Sequence, residues 1–375
     1  MNDLFAPYDL GPLQLSNRFV MAPMTRSRAP EDIATAQIAL HYTQRGTAGL
    51  IVSEGTPISR EGQGYLFNPG IFSEQQIHGW KLVTDSVHSV GGKIFAQLWH
   101  VGRVSHTSIQ RNGQAPVSAT SKVAQGAIAF GYTDSGEPGF VPTSTPRPLT
   151  TEEVTRVVED FAQAAANAIA AGFDGVEIHG ANGYLIEQFL NPLVNDRSDR
   201  YAADTLENRL RFVFEVVDAV VARIGAGKVG IRVSPYGQLF DMPIYPQIDE
   251  TYSALCAGMG ARGIAYVHVM DQTHFFLASE GAVAQEQALR ELLAHCKAQL
   301  CETALILAGD MTLERAQDLV DAGLIDLAGF GQPFIANPDL VARLKNGWPL
   351  TTPDRDTYYG GGAKGYLDYA PYAPA

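Results

Sequence analysis

Eight short apolar runs, separated by segments with helical periodicity, constrain this sequence more than any other feature. They are Phe19–Met21, Leu50–Val52, Lys93–Leu98, Gly175–Ile178, Lys228–Val233, Tyr266–Val269, Leu305–Ala308 and Leu327–Phe330. Many carry Val and Ile, as strands buried on both faces do. The clearest helix precedes the fourth run. Thr150 and Glu153 have capping-box spacing, Val154, Val157, Val158, Phe161, Ala165 and Ala168 follow on one face, and Gly172 ends it. Further helices are predicted from Ser73, with Gln76 in the same box, and from near Thr312 through Leu319 to Gly323. Eight strands alternating with helices over 375 residues predict an α/β fold, a single (β/α)8 TIM barrel forming one domain over 1–375.

Two stretches break the alternation. Residues 104–148, rich in Gly, Pro, Ser and Thr, follow strand 3, and residues 271–285 follow strand 6. Both then fall at the C-terminal rim, where such barrels keep their active sites, and both read as lid or pocket-wall insertions. The net charge of −13 weighs against nucleic acid or an anionic membrane as partner, since both need a positive field. No apolar run is long enough to span a bilayer and no signal-peptide pattern opens the chain, so a soluble cytoplasmic protein is expected. Cys256, Cys296 and Cys301 form no CxxC, which excludes a disulfide framework or a thiolate metal site. His100 and His106 have no companions for a ligand set and read as surface or lid residues; no metal is expected.

Polar residues gather at the strand ends. Thr25 follows strand 1. Gln97 lies near the end of strand 3, with Trp99 beyond it. His179 ends strand 4 and is followed by Asn182 and Tyr184. Arg232 ends strand 5, Gly309 and Asp310 end strand 7, and Gly331 and Gln332 follow strand 8. An apolar core would not place Arg and Gln inside its strands, because each needs a buried partner. The loops after strands 7 and 8 are the usual phosphate site of this barrel, and both carry glycines. With Arg232 and Gln97 in the same ring, the pattern points to a phosphorylated planar cofactor. A cation and neutral hydrogen-bonding groups around its pyrimidine edge are what a hydride-transferring flavin needs.

The chain resembles the old yellow enzyme family along nearly its whole length. The resemblance is carried by LSNRFVMAPMTRSRA, IVSEGT, FAQLWHVGR, GFDGVEIHGANGYLIEQFLNPLVNDRSDRY, ENRLRF, VGIRVSP, FIANPDLVARL and YYGGGAKGYLDY. It implies an FMN-dependent ene-reductase. Hydride passes from NADPH, or NADH, to FMN and then to the β-carbon of an activated alkene, such as an unsaturated aldehyde or ketone, a maleimide or a nitroalkene. By the same resemblance Thr25 bonds the flavin O4, Pro23, Met24 and Gly55 lie along the isoalloxazine, and Gln97 and Arg232 hold its pyrimidine edge. Gly309, Asp310, Gly331 and Gln332 take the phosphate. His179 and Asn182 grip the substrate oxygen, Tyr184 donates the proton, and Tyr65, Trp99 and Tyr359 wall the pocket. The resemblance leaves monomer and homodimer both open.

The chain departs from the family pattern in three places. Gln332 stands where an Arg usually clamps the phosphate, with Asp310 near the same site, so weaker FMN retention is expected. Leu239 replaces a common aromatic wall residue, beside Phe240, and Ala202–Ala203 replaces glycines. The alternative reading is a degenerate FMN barrel that binds a small molecule without turnover. A metal-dependent barrel hydrolase lacks its strand-1 histidines here, and a larger flavin–iron-sulfur reductase lacks its cysteine cluster.

Overall fold

The computed structural model describes residues 3–273 and 279–373. Eight parallel strands close into a barrel: Phe19–Met21, Leu50–Pro57, Ile94–Trp99, Gly175–Gly180, Val229–Val233, Tyr266–Met270, Ala304–Ala308 and Leu327–Phe330, with the last paired to the first. Each overlaps one of the eight apolar runs, and the second extends past its run Leu50–Val52 to Pro57. They are barrel strands 1 to 8 below.

The strands bury both faces, and the two faces have different partners. Ile94, Ala96, Leu98, Val176, Ile178, Ile231, Val267, Leu305 and Leu307 pack outward in one large core with helix residues such as Val157, Phe161, Val213, Leu255 and Leu319. Their alternates Val20, Leu50, Val52, Phe95, Tyr266, Ile306 and Leu327 form a second cluster inside the barrel. This is the period-2 consequence of side chains alternating across a strand. An N-terminal antiparallel hairpin, Tyr8–Leu10 with Leu13–Leu15, adds Leu10 and Leu15 to the inner cluster and closes the barrel floor.

The predicted capping boxes are present. Thr150 Oγ1 accepts from Glu153 N at 3.2 Å and Glu153 Oε2 accepts from Thr150 N at 2.8 Å, opening the helix Thr151–Ala170. Ser73 and Gln76 make the same exchange ahead of Glu74–Ser89. Thr312 caps Leu313–Asp321. Such caps satisfy backbone N–H groups that a helix start leaves orphaned, typically for about 1 kcal/mol each.

The insertion after strand 3 carries an antiparallel hairpin, Ile128–Tyr132 with Pro138–Pro142, and Phe130 bridges to Tyr65 at the barrel mouth. The interruption after strand 6 is shorter than expected. Of residues 271–285, 274–278 lie outside the described residues, and the helix Ser279–Gln299 already includes the rest after them. Cys256 and Cys296 are buried free thiols and Cys301 is exposed. Among the described residues no helix is long and apolar enough to cross a membrane.

Candidate active site

The inward face changes character toward the C-terminal ends of the strands. Above Phe95 and Tyr266 the next inward residues are Gln97, Glu177, Arg232 and His268, all buried, with His179 one step higher. Gln97 Nε2 donates to Glu177 Oε1 at 2.8 Å, and His268 Nδ1 lies 2.8 Å from Glu177 Oε2. Gln97 thus has a protein partner for its amide, while its carbonyl oxygen meets no donor among the described residues. Among the described residues the Arg232 guanidinium makes only a 3.1 Å contact to the Met270 sulfur, and its Nε has no partner. Burial lowers the Arg232 pKa and the Glu177 charge partly restores it.

The turn after strand 4 is built to present donors. His179 Nδ1 accepts from Ala181 N at 3.3 Å, which assigns the proton to Nε2. Burial first, then the charge of Arg232, pushes the imidazole pKa well down, so the ring is neutral. Asn182 sits in the left-handed region at φ 58° and its N–H donates to Ser234 Oγ at 2.8 Å. Its side-chain oxygen accepts from Gln272 Nε2 at 2.7 Å, and its amide NH2 meets no acceptor among the described residues. Gly183 follows at φ 74°, where a Cβ would lie 2.4 Å from the Leu239 carbonyl oxygen, so only glycine fits. Glu187 anchors the turn from below, accepting from Gly183 N at 2.6 Å, Ser234 Oγ at 3.0 Å and Tyr252 OH at 3.2 Å.

Aromatic rings wall this turn. Trp99 stacks on Tyr65 at 5.5 Å and on His179 at 6.0 Å, and meets Tyr184 edge-on at 5.0 Å. Tyr184 packs against Phe240 at 5.3 Å and its hydroxyl donates to Tyr65 OH at 3.4 Å. Burial, reinforced by Tyr65 and Tyr359, pushes the Tyr184 pKa well above 10, so the phenol keeps its proton. Pro23, Met24 and Thr25 are half-buried beyond strand 1. Gly55 lies at a β-bulge between strands 2 and 3, where a Cβ would strike the Trp99 indole at 2.3 Å; the glycine makes room for that ring. Tyr359 is 62% exposed at the mouth. Its segment is tied down by Arg26 and Arg28, which donate to the carbonyls of Thr357, Tyr358, Gly362 and Gly365. At the far side, Gly331 opens the short helix Gln332–Ala336, Gln332 is exposed, and Asp310 is exposed in the left-handed region.

Residues 3–351 match the NADH:flavin oxidoreductase / NADH oxidase family. The chain is 42% identical over 98% of its length to 12-oxophytodienoate reductase 1 of Oryza sativa subsp. japonica, covering 92% of that protein. It is 39% identical over 98% of its length to 12-oxophytodienoate reductase 2 of Arabidopsis thaliana, covering 95% of it. Among solved structures, morphinone reductase superposes with a TM-score of 0.92 at 42% identity, over 99% of this chain and 96% of that one. The old yellow enzyme homologue from Zymomonas mobilis superposes with a TM-score of 0.89 at 35% identity, over 98% of this chain and 99% of that one. This chain belongs to the old yellow enzyme family.

The residues present suit the flavin that an old yellow enzyme carries. A buried guanidinium with an orphaned Nε and a buried carboxamide with an open carbonyl share one layer, and Pro23 and Met24 offer half-buried apolar surface beyond strand 1. Such groups are costly to bury unless a ligand completes them.

Of the residues expected here, Gln97, Trp99, His179, Asn182, Tyr184, Arg232 and Tyr65 converge. His100 departs from expectation: it is buried, with Nδ1 accepting from Gly102 N at 3.1 Å, because the chain turns inward under the insertion. Phe240, noted beside the wall position Leu239, packs on Tyr184, whereas Glu177, Glu187, Ser234, His268 and Gln272 are not singled out by the sequence. Glu177 and His268 sat inside runs counted only as strands, although a charged residue at an inward position was a signal. Gln272 directly follows strand 6, inside the stretch 271–285 that reads as an insertion.

Proposed function

We propose that the mouth of this barrel is the catalytic site of an NAD(P)H-dependent FMN ene-reductase, with the chain acting as one FMN-binding domain. When bound, FMN supplies the carrier that takes hydride from NADPH or NADH and gives it to the β-carbon of an electron-poor alkene. One observation carries the reading. His179 and Asn182 both have their acceptor atoms occupied by the scaffold, so each keeps an N–H donor for a ligand, and the His179 ring lies against Trp99 and Tyr184.

The residues divide the work. The two donors hold the activating oxygen of an enone, a maleimide or a nitroalkene and stabilise the negative charge that grows there as the β-carbon is reduced. One such donor in other enzymes contributes about 3–4 kcal/mol. Tyr184, still protonated, delivers its proton to the α-carbon. Arg232 and Gln97 hold the pyrimidine edge of the cofactor, Thr25 its O4, and Pro23, Met24 and Gly55 its ring. Gly309, Asp310, Gly331 and Gln332 hold its phosphate, while Tyr65, Trp99 and Tyr359 frame the substrate.

Relatives named for reduction of 12-oxophytodienoate and morphinone support a small organic substrate, and a morphinone reductase structure with tetrahydroNAD supports a nicotinamide donor. The three free thiols fit a reducing compartment such as the cytoplasm. The decisive experiment is the visible spectrum of the protein loaded with FMN. The flavin band is expected to bleach with anaerobic NADPH and to return on adding cyclohexenone. A band that bleaches with neither NADPH nor NADH, or does not return with any activated alkene, refutes the reading.

A further inference from the structure

Beneath the ring of proposed flavin contacts lies a buried group of charges that the reaction scheme above does not use. Glu177 and His268 are both fully buried, 2.8 Å apart through Nδ1, and Glu177 also holds Gln97 at 2.8 Å. His268 Nε2 has no partner among the described residues. It faces the Cα of Gly329 in strand 8, where a Cβ would lie 3.3 Å away. These residues come from strands 3, 4, 6 and 8, and Arg232 on strand 5 pairs in register with both His179 and His268. A carboxylate at the centre of a barrel is costly unless something in the finished molecule requires its charge.

We propose that Glu177, oriented by His268, is the counter-charge that sets the flavin's reduction potential, by offsetting Arg232 and by fixing the Gln97 amide so that its carbonyl faces the cofactor. This rests on the reading that Arg232 and Gln97 border the flavin.

The charge count follows from the surroundings. Burial alone would push the Glu177 carboxyl up, but His268, Arg232 and the Gln97 amide outweigh it and hold the group below its ordinary range, as an anion. Burial, with Arg232, lowers the His268 pKa despite Glu177, so the imidazole is neutral and donates from Nδ1. The layer therefore carries Arg232 as its cation and Glu177 as its anion. Hydride transfer adds one negative charge to the flavin. An unopposed Arg232 would draw that charge strongly and leave the reduced cofactor reluctant to pass hydride on. Glu177 weakens the pull, and in a low-dielectric interior one buried charge has leverage over another several ångströms away. The pair also locks geometry: with its NH2 held by Glu177, Gln97 offers an acceptor and not a donor, the choice a carboxylate behind an amide dictates.

The test is the midpoint potential of the FMN-loaded protein, read by equilibration with a reference dye. Glu177→Gln keeps the shape and removes the charge. It is expected to shift the oxidised–reduced balance at least tenfold toward reduced flavin, about 30 mV for a two-electron couple. Arg232→Gln is expected to shift it the opposite way. His268→Leu takes a donor from Glu177 and leaves its carboxyl to protonate, so it must move the potential in the same direction as Glu177→Gln, and it decides the matter if Glu177→Gln does not fold. An unchanged potential in the Glu177 or His268 variant, with Arg232→Gln still shifting it, overturns the role of the pair. An unchanged potential in all three overturns the placement of the flavin over Arg232.

Discussion

Gln272 joins two loops of the barrel mouth: its Nε2 donates to Asn182 Oδ1 at 2.7 Å and its Oε1 accepts from Leu239 N at 3.4 Å. Asn182 alone could rotate its amide and offer either end to a ligand. The bond from Gln272 selects the donor end, so the orientation proposed for gripping substrate is imposed from the end of strand 6. Gln272→Leu is therefore expected to lower kcat/KM for cyclohexenone about tenfold, the loss of roughly one hydrogen bond's net worth. Reduction of the flavin by NADPH should keep its rate. An unchanged kcat/KM would show that Asn182 is oriented without help.

Tyr184 touches Trp99, His179, Phe240 and Tyr65, and burial holds its proton through the physiological range. Tyr184→Phe preserves these ring contacts and removes only the hydroxyl. In stopped-flow measurements, the oxidative half-reaction with an enone should slow by about 10²–10³-fold, while the reductive half-reaction is unaffected. In the intact enzyme the oxidative rate should not fall between pH 6 and 9 through loss of the Tyr184 proton. Undiminished turnover of every enone tested in the variant would assign the proton to water or another donor.

What could be read from the sequence and what could not differ in kind. The eight strands were legible because burial on both faces forces continuous Val- and Ile-rich runs. Ser73, Thr150 and Thr312 announced helices because a cap is a local event. The floor hairpin at Tyr8–Leu15 escaped because three-residue strands carry no periodicity; only Leu10 and Leu15 mark it, and their contacts lie across the barrel. His179, Asn182 and Tyr184 stood out by clustering within six residues of chain. Glu177, Gln272 and Ser234 did not, since each matters through a partner on another strand, and a single sequence does not display such pairings.

Glu187 gives a pH signature with a defined sign. Burial pushes its carboxyl up from the ordinary 4.5 to about 7, against the bonds from Gly183, Ser234 and Tyr252. Below the unfolded value both states hold the proton and nothing is at stake. Between 4.5 and about 7 the unfolded chain releases its proton and the folded one keeps it, so stability falls as pH rises through that window and levels off above it. Glu187→Gln lacks this loss. Denaturant titrations should show the variant gaining on the parent from pH 5 to pH 8, by on the order of 3 kcal/mol. Glu54, also pushed to about 7 by burial, acts alike in both proteins and cancels. A stability difference that is flat with pH would mean that Glu187 is already ionised at pH 5 in the folded protein.

Gln332 opens the short helix after strand 8, exposed beside Gly331, at the proposed phosphate site. Arg315 is the cation that braces the neighbouring strand-7 turn, through the Gly309 carbonyl at 2.6 Å, but it shares its charge with Asp271 at 2.7 Å and Glu286 at 2.9 Å. Asp310 adds an exposed carboxylate on the same turn. A phosphate held there relies on backbone N–H groups and the neutral Gln332 amide. A charged donor is worth about 1 kcal/mol more than a neutral one, so Gln332→Arg is expected to tighten FMN binding roughly five- to tenfold in fluorescence titrations. Because the new charge is exposed, the gain should shrink between 20 mM and 500 mM salt as screening grows. Asp310→Asn should strengthen binding in the same direction by a smaller factor. If Gln332→Arg leaves the dissociation constant unchanged at low salt, the phosphate does not sit between the strand-7 and strand-8 turns.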